Sequence, residues 1–125
     1  MFLTNSPESA VLHMLETHFL WLQDKPGQRQ FVAIDLPGHL READFADCVL
    51  READLSASIC DAATFAGADL GGADLTDCRA AGANFTDADL SGAIVAGADF
   101  RFAVFTGADL TGVDMTTAHT EGAIF

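Results

Sequence analysis

Every fifth position from Leu40 to Phe125 belongs to one series of mostly large apolar residues: Leu40, Phe45, Leu50, Leu55 and onward to Phe125. A helix repeats every 3.6 residues, and a strand sends members of a five-residue series to alternate faces. Neither can keep this series on one side. The register never slips across 18 repeats, from Gly38 to the last residue. Two positions before each large residue stands a small one, alanine in 13 of the 18 repeats. Cys48, Ser58 and Cys78 are substitutes of similar size there, and Gly38 and Val113 are the outliers. Glycine is frequent two positions after the large residue, where a corner needs its conformational freedom. Self-similarity of this length marks a solenoid.

Taken in twenties, the series separates into columns. Phe45, Phe65, Phe85, Phe105 and Phe125 form one, and Leu50, Leu70, Leu90 and Leu110 a second. Leu55, Leu75, Val95 and Met115 form a third; Leu40, Cys60, Ala80, Phe100 and Thr120 make an irregular fourth. Identical residues recurring at twenty imply four fives per turn of the coil. Five residues then make one side of a square whose large residues stack inside.

The segment before the repeats reads differently. Val11, Leu15, Phe19 and Leu22 recur at helical spacing, and Ser6, Pro7 and Glu8 suit a helix start. Lys25-Pro26-Gly27 ends the helix. The expected organisation is a helical cap over residues 1–28, a β-like lead-in over 29–37 and the repeats over 38–125. The helix is expected to pack on the open N-terminal end, hiding unpaired backbone groups.

Composition narrows the function. The 125 residues suit one domain, and a net charge of −13 argues against direct binding to nucleic acid or anionic membrane. No basic leader or membrane-length apolar run occurs, and three cysteines without metal-ligand spacing fit reduced thiols in the cytoplasm. His13 and His18 are five apart, a poor metal pair on a helix. No nucleophile–base pair, phosphate loop or cofactor motif is present, and His119 beside Glu121 makes a weak proton-transfer pair. The expectation is a protein that is not an enzyme and uses no metal or cofactor.

Runs such as AGADLGGADL (66–75) and TDADLSGAIV (86–95) resemble the pentapeptide-repeat family, with its A(D/N)LXX consensus. The resemblance covers residues 38–125 and implies an all-β solenoid: a right-handed quadrilateral parallel β-helix of about four and a half coils. Residues just before each large one then face outward. Asp69, Asp89 and Asp109 on one side, and Asp54, Asp74 and Asp114 on the next, form a candidate acidic interaction face. With coils rising about 4.8 Å each, the net −11 of residues 38–125 spreads to roughly one charge per 2 Å, near the one per ~1.7 Å of duplex DNA. Two readings follow. One is a non-catalytic protein–protein interaction module with an unidentified partner. The alternative is a DNA mimic that binds a type II topoisomerase, as the resemblance to quinolone-resistance members that act on DNA gyrase implies. Outward positions turn apolar late in the chain, so Ile94, Phe102, Val104, Ile124 and Phe125 form a candidate interface for a C-terminal homodimer.

Overall fold

The backbone turns a corner once in every five residues. After each inward residue a β-turn closes with a hydrogen bond, as from Ala43 N–H to Leu40 O (3.1 Å) and from Ala88 N–H to Phe85 O (3.0 Å). The second turn residue has positive φ at every described corner but one, from +56° at Asp77 to +75° at Gly112. That is the conformation a type II turn requires. Eight of these residues are glycine and eight are not. The exception is Thr117, whose branched Cβ makes a left-handed conformation costly.

The structure, a computed structural model, describes residues 40–125. The predicted helical cap (1–28) and lead-in (29–37) lie outside the described residues. Four corners complete a coil of 20 residues: coil 1 is 41–60, coil 2 is 61–80, coil 3 is 81–100 and coil 4 is 101–120, with 121–125 starting another. The first side of the square carries the phenylalanine column, the second the leucine column, and the third and fourth follow in chain order. Parallel bridges align the outward residues, as in Asp44–Thr64–Asn84–Val104–Ile124 on the first side and Val49–Asp69–Asp89–Asp109 on the second. The inward residue donates its N–H forward to the next coil (Phe45 to Thr64 O, 2.8 Å). The outward residue donates back to the previous one (Thr64 to Ala43 O, 2.9 Å). The result is the right-handed quadrilateral β-helix expected from the repeats.

Inside, Phe45, Phe65, Phe85, Phe105 and Phe125 stack with ring centroids 5.0–5.2 Å apart and planes within 9° of parallel. The small residues two positions earlier are buried through coils 1 to 3, except Cys48, which is partly covered. They let the backbone approach the axis closely enough for the rings to fill the interior. Phe100 explains the irregular fourth column. Its ring meets Phe85 and Phe105 edge-on at 5.6 and 5.1 Å, and its column neighbours Ala80 and Thr120 are smaller.

The corners are coupled across coils. The side chain of Asp77 leans over Gly97, and the ring of Phe102 lies over Gly122, where an added Cβ would come within 2.5 Å of Phe102 Cδ1. Nothing lies within 4 Å of a Cβ at Gly82.

Two comparisons test this packing by chemical denaturation. Phe85→Ala is expected to cost about 3–5 kcal/mol, as truncation of a buried aromatic does. Asp89→Asn is expected to change stability by no more than about 0.5 kcal/mol. Gly97→Ala and Gly82→Ala both place a Cβ at positive φ, a cost of about 1–2 kcal/mol. Gly97→Ala is expected to be the more destabilising, because Asp77 must also move.

Candidate protein-interaction surface

The bridges fix where the candidate acidic residues stand. Asp69, Asp89 and Asp109 form one in-register column on the second side, and Asp74 pairs with Asp54 on the third. Asp114 follows on the third side but forms no bridge with Ile94. Like charges aligned at this spacing repel, and the structure offsets the repulsion locally. Arg51 Nη1 lies 3.0 Å from Asp69 Oδ1 and 3.9 Å from Asp89 Oδ2.

Each outward carboxylate also accepts hydrogen bonds from its own turn. Asp89 Oδ1 accepts from Ser91 N–H (2.9 Å) and Ser91 Oγ–H (2.6 Å), and Asp109 Oδ1 likewise from Thr111 (3.0 and 2.6 Å). Asp54 uses Ser56 and Asp114 uses Thr116 in the same way. Asp69 and Asp74 accept the backbone N–H of Gly71 and Thr76. One carboxylate oxygen is thus tied to the turn, which is the local reason an acid or amide suits this position. The repeat AXLS or AXLT with X acidic was visible in the sequence, but its turn chemistry was not read there. Hydroxyl donation from Ser56, Thr111 and Thr116 holds Asp54, Asp109 and Asp114 below the usual carboxylate range.

The fourth side differs. Ile59, Arg79, Asp99 and His119 are its outward residues. Arg101 forms a two-point pair with Asp99 (Nε–Oδ1 2.9 Å, Nη2–Oδ2 2.8 Å), while Asp61 faces Arg79 at 3.6 Å and Arg41 at 3.9 Å. Arg79, Asp99, Arg101, Phe102, His119 and Glu121 border an open hollow of about 700 Å³. Its charges answer one another, and exposed pairs of this kind contribute little individually. Among the described residues, no group of three or more His, Cys, Asp or Glu is placed to hold a metal. Cys60 and Cys78 are buried, and burial pushes the Cys60 thiol up to about 12 and the Cys78 thiol higher still. Neither is poised as a nucleophile. Among the described residues no helix is long and apolar enough to cross a membrane.

Of the candidate dimer residues, the structure brings four together. Val104 and Ile124 are consecutive on the first side, Phe102 stands on the adjoining corner, and Phe125 ends the inward stack. Phe102, Ile124 and Phe125 are 68%, 56% and 62% exposed, whereas Val104 is half-buried. Ile94, 53% exposed, stands on the opposite, third side and does not join them. Phe102 also holds a φ of +62°. The corner geometry sets this φ, as at the other non-glycine corners, and the ring packs over Gly122 with most of its surface left exposed.

The turn bonds fix a pH dependence. A carboxyl with its pKa lowered by folding stabilises the fold above its unfolded value, near 3.9. That contribution is lost as pH falls through the folded value. Replacing both hydroxyl donors, in Thr111→Val/Thr116→Val, is expected to raise the Asp109 and Asp114 titrations seen by NMR. The variant is expected to be less stable than the wild type at pH 6, with the difference shrinking below about pH 4. A difference that does not vary with pH would show that the hydroxyls act otherwise.

Comparison with known proteins gives a consistent answer. The pentapeptide-repeat family model, described as pentapeptide repeats (8 copies), matches residues 58–95 and 83–119. No curated protein matches the chain. Among solved structures, the pentapeptide repeat protein Rfr23 of the cyanobacterium Cyanothece 51142 is 27% identical with a TM-score of 0.51, covering 67% of this chain and 61% of its own. A pentapeptide repeat protein of the Arabidopsis thaliana thylakoid lumen is 30% identical with a TM-score of 0.42, covering 64% of this chain and 56% of its own. QnrB1, a plasmid-mediated fluoroquinolone resistance protein, is 20% identical with a TM-score of 0.39, covering 65% and 52%. The chain thus spans about three fifths of the length of the structures it matches first. With its five-residue register, its four-sided coil, the family-model match and the likeness to Rfr23, the chain belongs to the pentapeptide-repeat family.

Proposed function

We propose that the chain is a non-catalytic protein-binding module whose acidic second and third sides engage a basic surface of a protein partner. The observation that carries this reading is the arrangement of Asp54, Asp69, Asp74, Asp89, Asp109 and Asp114. Each has a carboxylate oxygen held by its own turn. Acids fixed in this way meet a partner with little ordering left to do. Reduced, buried Cys60 and Cys78 accord with a cytoplasmic setting.

A second reading is favoured by the spacing of the charges. Carboxylates stacked about 4.8 Å apart along a narrow rod approach the charge density of a DNA strand pair. On this reading the partner is a type II topoisomerase such as DNA gyrase, and the chain occupies its DNA-binding surface. A supercoiling assay with purified gyrase, with and without a fluoroquinolone, tests it. Inhibition or drug protection at micromolar protein, lost in Asp69→Asn/Asp89→Asn/Asp109→Asn, is expected on this reading. An assay showing neither effect removes gyrase and leaves the wider protein-binding reading intact.

Self-association through Phe102, Ile124 and Phe125, supported by the exposed Phe102, completes the proposal. Light scattering at tens of micromolar is expected to show a homodimer that Phe125→Glu converts to monomer. Phe102→Gly is expected to weaken the dimer while raising protomer stability by about 0.5–1 kcal/mol, because glycine relieves the left-handed strain. A monomeric wild type, or a Phe125→Glu protein that remains fully dimeric, contradicts the assignment.

A further inference from the structure

The ladder between coils is interrupted at one place on the third side. On the two preceding steps Leu55 and Leu75 donate to Asp74 O and Ile94 O, and Asp74 and Ile94 donate back to Ala53 O and Ala73 O. Among the described residues, no such bond joins Val95 to Asp114 O or Asp114 to Ala93 O, and Ile94 and Asp114 form no bridge. At the next corner Gly97 N–H turns instead to the side chain of Thr117 (Oγ1, 3.2 Å). The ladder resumes beyond it, with Asp99–His119 and Val104–Ile124. The gap thus lies on the outermost rung of the third side, while the outermost rungs of the second, fourth and first sides are paired.

Two residues account for it. Val113 stands where the other described repeats place alanine, serine or cysteine, so a branched side chain must fit a position otherwise kept small. Thr117 is the one described corner without positive φ. Both are β-branched and both border the same five-residue side. The opening is a cleft of about 250 Å³ with a mixed polar and apolar lining: Gly92, Ala93, Ile94, Val95 and Ala96 on the coil 3 side, and Gly112, Asp114 and Thr117 on the coil 4 side. Ile94 is exposed at its lip, and the surrounding outward residues, Asp74 and Asp114, are acidic.

We infer that this cleft is a docking notch for an extended basic segment of a partner protein, one that inserts an apolar side chain flanked by lysine or arginine. The inference rests on the protein-binding reading above and names where on the acidic faces the contact centres. The apolar part of the lining, with Ile94 and Ala96 exposed at its edge, takes the side chain. The N–H of Val95 and the backbone of Asp114, released from the ladder, meet the segment's peptide groups. Asp74 and Asp114 match its positive charges, and the net charge of −13 draws such a segment in.

Two measurements on the full chain test it. Hydrogen exchange is expected to be at least about tenfold faster at the amides of Val95 and Asp114 than at those of Leu75 and Ile94, which sit in intact ladder. Equal protection would mean a closed seam and would overturn the inference. Fluorescence polarisation then compares two labelled heptapeptides, one centred on Lys-Leu-Lys and one on Lys-Gly-Lys. The leucine peptide is expected to bind about tenfold more tightly, as burial of much of one leucine side chain implies. Its amide shifts are expected between Gly92 and Gly97 and between Gly112 and Thr117. Ala96→Trp, which overhangs the cleft from an exposed position, is expected to abolish the leucine advantage. Val113→Ala is expected to do the same by restoring the ladder. Equal affinity for the two peptides, or shifts spread over the Asp69–Asp89–Asp109 column, would overturn the notch while leaving protein binding by the acidic faces standing. Failure of both peptides to bind would overturn the notch as well, while leaving protein binding by the acidic faces standing.

Discussion

Backbone hydrogen bonding between successive coils is the constraint from which the rest of this β-helix follows. Those bonds form only if the chain, after four corners, returns to the position it left 20 residues earlier. That closure explains the invariant five-residue register, because a single extra residue would displace every later side from its partner. It also explains why corners accept positive φ at Glu42, Asp47 and Ala62, where no glycine is present. The local strain of about 1 kcal/mol at such a corner is offset by bonds made to both neighbouring coils, such as Glu42 N–H to Asp61 O and Ala62 N–H to Ala81 O.

The interior and the exterior meet this constraint in different ways. Inside, rings 5.0–5.2 Å apart match the spacing of the coils, so phenylalanine stacking and backbone pairing reinforce each other. Outside, the same spacing brings acids of one sign into columns, which is unfavourable. The surface answers with a backbone amide donor to each outward carboxylate, with a hydroxyl donor as well at Asp54, Asp89, Asp109 and Asp114, and with Arg51 bridging toward two coils. The outward acidic residues therefore have a structural task in their own turns.

Much of this was legible in the sequence. The register named the inward residues, the twenties named the columns, and both follow from one geometric repeat. The burial of Phe45 through Phe105 and the alignment of Asp69, Asp89 and Asp109 needed nothing else. Departures were harder to see, because they depend on contacts between residues 20 apart. Ile94 and Val104 are near in sequence but lie on opposite sides of the square, which an apolar count along the chain does not reveal. Val113 stood out as an oversized residue, yet only with Thr117 at the following corner does it open the ladder. Two β-branched residues at a small position and a corner of the same side are the signal that would have located the cleft.

The corner side chains that fold over glycines carry a consequence for how such a protein can vary. Asp47 and Gly67, Asp77 and Gly97, Asp87 and Gly107, and Phe102 and Gly122 are each separated by one coil. A side chain at the lower corner needs a bare Cα above it, and a bulky replacement at the upper corner needs the lower one trimmed. Drift at the corners is thus constrained vertically, along the axis, more than along the chain. Among descendants of such a sequence, substitutions are expected to arrive as compensating pairs 20 positions apart, so that the solenoid's history is written across its coils and not within them.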